Sequence, residues 1–466
     1  MTFCYRSLAN EGCSTQFTAQ DKVKTFMVRQ SATQARLFVV VVVVSVLLMV
    51  FTVTLASRVS NGFMREQIAY QRNFLLVEPA IDDWTTCISL LSFSGDLDGR
   101  SVLYRASMVS LPVDISEAPC DELIKWVDAE SGGDIRSGTY ARYWFGGAAS
   151  VRLLSAASAG LDAARTVIAL LWIFALAIYF GFLWQRTGII TALLATGVPF
   201  LTTDLVSALK APHTALTFTA SLVLGITVML SRRSNELVIL FATGLWLPFF
   251  DPLTHPTFYL YVVMAPIFLH SFQHQGSALV QTRKLVGLGA ISVLGYTLSW
   301  VAKWSFAAVF GDGLAVFRDS FSQILFRAGG TVDDQPLGLM DGVAGNLREY
   351  LERPFTTTII SVFVVYAIFS FVLRRARSIR LELAHVALCI GIGVAPLVVY
   401  VVLKSHSFEH SWMTYRSLAM SLGVSLACLY LRDDRIFGKS ESGNVAADLK
   451  LNDRRVTTKF TSWSPR

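Results

Sequence analysis

Long apolar runs, separated by short basic or polar stretches, set the pattern of this chain. A bilayer core about 30 Å thick needs roughly 20 apolar residues in helical form to cross it. Ten segments qualify or come close: Leu37–Ala56, Thr166–Trp184, Ile189–Leu209, Ala215–Leu230, Leu237–Phe250, Thr257–Leu269, Leu285–Ala302, Thr357–Leu373, Leu383–Leu403 and Ser411–Leu431. Leu237–Phe250 and Thr257–Leu269 are short and flank Asp251-Pro252 and His255-Pro256. They form either a thin hairpin or a re-entrant pair. The pattern therefore predicts an all-α polytopic integral membrane protein with about ten transmembrane helices. The first apolar run is long and follows a polar segment, so it is expected to be a permanent anchor rather than a cleaved signal peptide.

The polar stretches divide the chain further. Residues 1–36 form an N-terminal segment and 37–56 the first span. Residues 57–165 hold 14 acidic and 10 basic side chains. That is too polar for lipid and predicts an α-rich extracytoplasmic domain. Residues 166–302 carry spans two to seven. Residues 303–355 scatter Phe306, Phe310, Phe317, Phe321 and Phe326 among polar positions, the pattern of amphipathic helices at an interface. Spans eight to ten follow over 356–431, and 432–466 is a polar tail.

Charge fixes the expected orientation. Arg186, Arg232, Arg233, Arg283, Lys284, Arg374, Arg375, Arg377 and Arg380 fall in loops on one side, against Lys210 and Lys404 in the short loops on the other. By the positive-inside rule the basic side is cytoplasmic, and so are both termini. The chain is 53% hydrophobic and 16% charged, which excludes a disordered chain, a coiled coil and a secreted disulfide scaffold. The net charge of +7 follows from this asymmetry, so no nucleic-acid partner is implied.

Of the six cysteines, Cys87 and Cys120 are the two in the first outer segment. That compartment is oxidising and a bridge is expected there, with two unpaired thiols as the alternative. Cys389 and Cys428 sit inside spans as packing residues, and Cys4 and Cys13 lie in the reduced N-terminal segment.

Candidate chemistry gathers on the outer side. Asp82-Asp83 and Asp96-Leu97-Asp98 place neighbouring carboxylates in the first outer segment. Such pairs serve as general base, and Asp96 with Asp98 can hold a divalent cation that bridges phosphates. The plain alternatives are helix-start acids for Asp82-Asp83 and a turn between Gly95 and Gly99 for Asp96 and Asp98. Arg142-Tyr143-Trp144 joins a cation to aromatic faces, which suits sugars and phosphate oxygens, and equally suits an interfacial aromatic belt. His406, His410, Trp412, Tyr415 and Arg416 crowd the outer start of the last span. There a membrane-boundary arginine calls for an anionic partner or snorkels to the surface. His406 and His410 lack a third histidine or a cysteine nearby, so zinc is not read there. Arg327 in the second outer segment is a further cation, with a solvated loop as its plain reading. No P-loop, dinucleotide fingerprint, Gly-x-Ser-x-Gly or HExxH motif occurs.

These features resemble the GT-C type of membrane glycosyltransferase, in a long outer segment between spans one and two and a second after span seven. Ala141-Arg142-Tyr143-Trp144 with Arg152, and the stretch His406–Leu418, also resemble an uncharacterised bacterial family of surface-polysaccharide membrane proteins. Where that family has His-Gly-Tyr after the Tyr-Trp pair, this chain has Phe145-Gly146-Gly147, which removes any histidine role at that position. The resemblance covers the topology of nearly the whole chain but motifs over only about 30 residues. It implies a bacterial plasma membrane location, a polyprenyl-phosphate-linked sugar donor and a saccharide acceptor at the outer face. It also implies an acidic base, Asp82 or Asp83 with Asp96 and Asp98 as rivals, and phosphate held by Arg416, Arg142 or Arg327. A polysaccharide polymerase or ligase, or a non-enzymatic transporter or flippase of a lipid-linked saccharide, are the competing functions.

Overall fold

The computed structural model describes residues 35–71, 83–94, 100–112, 119–128, 137–203, 211–231, 235–251, 256–273, 277–332, 335–353, 355–358, 360–361 and 383–431. Among them the chain is almost wholly helical, with two short two-stranded ribbons. Five helices are long and apolar enough to cross a membrane. They are α1 (Ala35–Ala56), α7 (Leu161–Thr187), α9 (Pro212–Leu230), α12 (Ala278–Phe310) and α15 (Leu383–Val402). Leu170, Phe174, Val286 and Val398 are each more than 60% exposed on these helices. Apolar rows of that kind belong against lipid, not water. The shorter apolar helices α8 (Ile189–Thr202) and α10 (Glu236–Phe250) accompany them. So do α11 (Pro256–Gln273) and the last helix, α18 (416–431).

Two expected spans differ in length from their helices. The seventh was bounded by Lys303, yet α12 runs on to Phe310. Lys303 is fully buried, and its Nζ donates to the Ser107 carbonyl at 2.6 Å, so the charge ends no helix. The third expected span reaches Leu209, whereas α8 stops at Thr202 with Pro199 in its last turn. Most of Thr357–Leu373 lies outside the described residues.

Helix packing relies on small residues where backbones approach. A Cβ at Gly244 of α10 would overlap the Ser292 carbonyl of α12, and one at Gly295 would overlap the Phe241 carbonyl. The Tyr179 hydroxyl of α7 donates to the Val262 carbonyl of α11 at 2.7 Å, and Tyr261 donates to Ile392 of α15.

The described part of residues 57–165 folds against one end of these helices. It comprises α2 (Asn61–Tyr70), α3 (Asp83–Leu91), α4 (Val102–Ser107), β1 (Val109–Pro112), α5 (Pro119–Asp128), β2 (Ser137–Tyr140) and α6 (Gly146–Ala157). Met64, Ile68, Leu90, Leu123, Trp126 and Trp144 share its core. A Cys87–Cys120 disulfide ties α3 to α5. The buried Arg152 donates to the Val59 carbonyl at 2.7 Å and to Asn61 Oδ1 at 2.5 Å. β1 and β2 pair antiparallel, with Val109 opposite Tyr140, and this delivers the chain to Arg142-Tyr143-Trp144.

After α12 come α13 (Ala315–Gly329), β3 (Thr331–Val332), β4 (Gln335–Pro336) and α14 (Asp341–Glu352). Phe321, Leu325, Leu347 and Leu351 face outward while Val316, Val343 and Tyr350 are buried. Both helices are amphipathic, as interfacial helices are. Two short helices, α16 (Lys404–Glu409) and α17 (Ser411–Thr414), lead into α18.

Replacing Gly295 with valine is expected to lower stability by about 3 kcal/mol or more, because neither facing backbone has room to move. Thermal unfolding of the purified variant in detergent checks this; an unchanged midpoint would contradict the close α10–α12 contact.

Candidate functional site

Three separated stretches converge on one cavity of about 180 Å³. Tyr140, Tyr143 and Phe145 supply one wall, Arg327 a second, and His406, His410 and Met413 a third. The floor is formed by His213, Thr214, Phe250 and Asp251 at the start of α9 and the end of α10. Ile88 and Ser89 of α3 complete it.

Local structure explains each placement. Phe145 adopts a left-handed conformation, φ 53° and ψ 34°, which turns the chain sharply from β2 into α6. Gly147 then lies against the Phe250 carbonyl and His213 Cβ, at distances that would crowd any side chain. Trp144 points away, fully buried, and its Nε1 donates to the Ser299 carbonyl at 3.1 Å. It is an anchor and does not line the cavity.

Arg327 stands in the last turn of α13. The helix ends on Gly330 in the left-handed region, φ 76°, where a Cβ would also overlap Lys404. The Gly330 amide donates to Ser405 Oγ at 2.9 Å, and Lys404 Nζ donates to the Leu337 carbonyl at 2.8 Å. These contacts dock the end of α13 onto α16, which carries His406. The Arg327 guanidinium lies over the Tyr143 ring, 5.5 Å from its centroid. Its Nη1 is shut off from solvent with no hydrogen-bond partner, and among the described residues no carboxylate lies within ion-pair distance.

The histidines are held by a buried asparagine. Asn346 of α14 donates to the Gly342 and Ser407 carbonyls, each at 2.8 Å, and its Oδ1 accepts the Thr414 hydroxyl at 2.6 Å. This fixes the turn between α16 and α17. The His406 and His410 rings are 4.7 Å apart, and Trp412 lies 6.5 Å beyond His410. Burial, aided by the positive charge of Arg327, pushes the His410 pKa down to about 4. The ring is therefore neutral at pH 7, with a proton-accepting nitrogen.

The other expected residues are placed as follows. Arg142 lies over the Tyr140 ring at 4.4 Å and pairs with Asp319 at 3.4 Å, outside this cavity. Tyr415 and Arg416 are buried but do not line it. Arg416 stacks on Tyr415 at 5.9 Å. Asp82, Asp96 and Asp98 lie outside the described residues, and Asp83 is described only as the first residue of α3. Among the described residues no group of three or more histidine, cysteine or acidic side chains is placed to hold a metal ion.

Asp251 and His213 were not singled out from the sequence as site residues. Asp251, 3% exposed, caps α10, its amide donating to the Leu247 carbonyl at 2.8 Å. His213 follows Pro212 at the start of α9, and its Nε2 lies 3.1 Å from Thr214 Oγ1. Both are ionisable groups at the ends of apolar helices, which is the signal that marks them. Compared with known proteins, the chain matches no family model, no curated protein and no solved structure.

The depressed His410 pKa has a defined consequence for stability. Below the ordinary histidine pKa of about 6.5, the unfolded chain takes up this proton while the folded one resists it. The stabilisation by neutral His410 is thus full above about pH 6.5 and is lost as pH falls toward 4. Over that window the His410→Phe variant is expected to lose less thermal stability than the parent. Unfolding midpoints measured in detergent from pH 7 to pH 4 check this, and parallel curves would contradict it.

Proposed function

We propose that the chain is a GT-C-like membrane glycosyltransferase. It moves a sugar from a polyprenyl-phosphate-linked donor to a surface-glycan or lipid-linked acceptor at the outer face. In this reading the chain crosses a bacterial inner membrane about ten times, with both termini cytoplasmic. The observation that carries the proposal is Arg327, a cation without an acidic partner among the described residues, set in one cavity with His410, His406 and Asp251.

The chemistry follows from charge. As the sugar leaves, negative charge develops on the departing phosphate, and a fixed guanidinium beside it stabilises that transition state. The neutral His410 ring adds a hydrogen-bonding group at the same spot. Tyr143 and Phe145 offer ring faces on which a sugar packs. The acceptor hydroxyl must lose a proton, and a carboxylate within hydrogen-bond reach takes it. Asp251 is the carboxylate among the described lining residues. The expected base pair Asp82-Asp83 remains close in the chain: Asp83 begins α3, and Ile88 of that helix lines the cavity. Five residues of helix rise separate the two, about 7.5 Å.

Transfer of a labelled sugar is measured in vesicles reconstituted with the full chain and a panel of polyprenyl-phosphate sugars. Arg327→Gln is expected to slow transfer roughly 10²–10³-fold. Asp251→Asn is expected to lower kcat while leaving KM for the donor near that of the parent. Normal transfer by a well-folded Arg327→Gln protein, or no transfer by the parent with any donor of the panel, would overturn the reading.

A further inference from the structure

A cavity of about 240 Å³ lies at the end of the helix bundle away from the first one. The first cavity takes the start of α9 and the end of α10, and this one takes the end of α9 and the start of α10. The length of α9 puts about 27 Å between them. The wall is made by the last turns of α7, α9 and α11 and by Glu236, the first residue of α10. Glu236 is 8% exposed, and Lys284 of α12 pairs with its Oε2 at 2.7 Å. A carboxylate offers about four lone-pair sites, so one ammonium leaves acceptor capacity to spare.

Hydrogen bonding makes this cavity rich in acceptors. Thr187 Oγ1 donates to the Leu183 carbonyl at 2.8 Å, and Ser231 Oγ donates to the Val228 carbonyl at 3.1 Å. Gln273 Nε2 donates to the Arg186 carbonyl at 2.6 Å. Each of these lining side chains thus spends a proton on a helix end, and its oxygen keeps lone pairs for a ligand. Three helices finish here, so their C-terminal partial charges add to the negative charge of Glu236. The fixed cation among the lining residues is Arg186, whose side chain is exposed, and His270 adds an imidazole. Leu230 also lines the cavity and is 64% exposed, on a helix apolar enough to cross a membrane. Trp184, in the last turn of α7, is 53% exposed, as aromatic side chains at a membrane boundary are. The cavity therefore reaches the lipid-facing surface.

From this chemistry we infer that the cavity receives a phosphoethanolamine head group, carried by phosphatidylethanolamine. The ammonium, with three N–H donors, meets Glu236 and the acceptor oxygens. The phosphate is held at the rim by the Arg186 guanidinium, which suits its paired oxygens. The acyl chains lie in the membrane beside Leu230. Phosphatidylcholine carries the same charges but no N–H, so it leaves the acceptors unanswered. Phosphatidylglycerol carries the phosphate without an ammonium, so it brings no cation to the buried carboxylate. The site is separate from the sugar-transfer cavity and stands or falls independently of that reading.

The test is native mass spectrometry of the delipidated full chain in detergent. An equimolar mixture of phosphatidylethanolamine, phosphatidylcholine and phosphatidylglycerol with identical acyl chains is added. One phosphatidylethanolamine per chain is expected to be retained, in roughly tenfold excess over either competitor, as one charge-assisted hydrogen bond provides. Glu236→Gln is expected to abolish that preference. Arg186→Gln, at an exposed position that spares the fold, is expected to weaken retention of phosphatidylethanolamine roughly tenfold. Free O-phosphoethanolamine is expected not to displace the lipid at equal concentration. Equal retention of phosphatidylcholine or phosphatidylglycerol would overturn the role of the ammonium. Displacement by equimolar O-phosphoethanolamine would overturn the lipid as its carrier. Unchanged retention in a folded Arg186→Gln protein would overturn the location.

Discussion

A guanidinium half-buried beside a membrane is costly unless an anion answers it, and Arg327 meets no carboxylate among the described residues. Its position is maintained by everything around it. Gly330 turns the chain so that α13 can end against Ser405 and Lys404. The Tyr143 face lies under the charge and recovers part of its lost hydration. The same charge helps to keep His410 neutral. Removing the cation would therefore alter the protonation of its neighbour as well as the field of the cavity.

The arrangement joins elements far apart in the chain. β1 and β2 lead the chain to Tyr143, α13 presents Arg327, and α16 with its following turn presents the histidines. Two sets of contacts make the union rigid: the hydrogen bonds of Asn346 between α14 and the histidine turn, and the packing of Gly147 against α9 and α10. A polar cavity and an aromatic groove then meet at Tyr143 and Arg327.

The helices were legible because lipid demands long apolar runs, and α1, α7, α9, α12 and α15 match expected spans. Their ends were less legible. Lys303 read as a boundary, but a carbonyl partner and two aromatic faces let α12 carry it inward and continue. Within the site, Arg327, His406 and His410 stood out as ionisable groups beside apolar spans, and Tyr143 as a ring next to a cation. Trp144 and Arg416 stood out for the same reason, yet one anchors α12 and the other stacks on Tyr415. Sequence patterns mark the composition of a span end but not the direction in which each side chain points. Asp251 and His213 were not read as site residues because each is a single ionisable residue in a short connection without a motif, and the packing of α6 on α9 and α10 gives them a shared cavity.

The central claim is that Arg327 and His410 together receive a phosphate. The most direct measurement is the pKa of His410, followed by NMR of labelled imidazole in the full chain, with and without geranyl phosphate. Without the ligand the ring should titrate near 4, as its burial beside a cation dictates. A bound phosphate offsets the Arg327 charge and favours the imidazolium, so the pKa should rise by at least one unit, and this rise should vanish in Arg327→Gln. A His410 pKa unmoved by saturating geranyl phosphate would contradict the account.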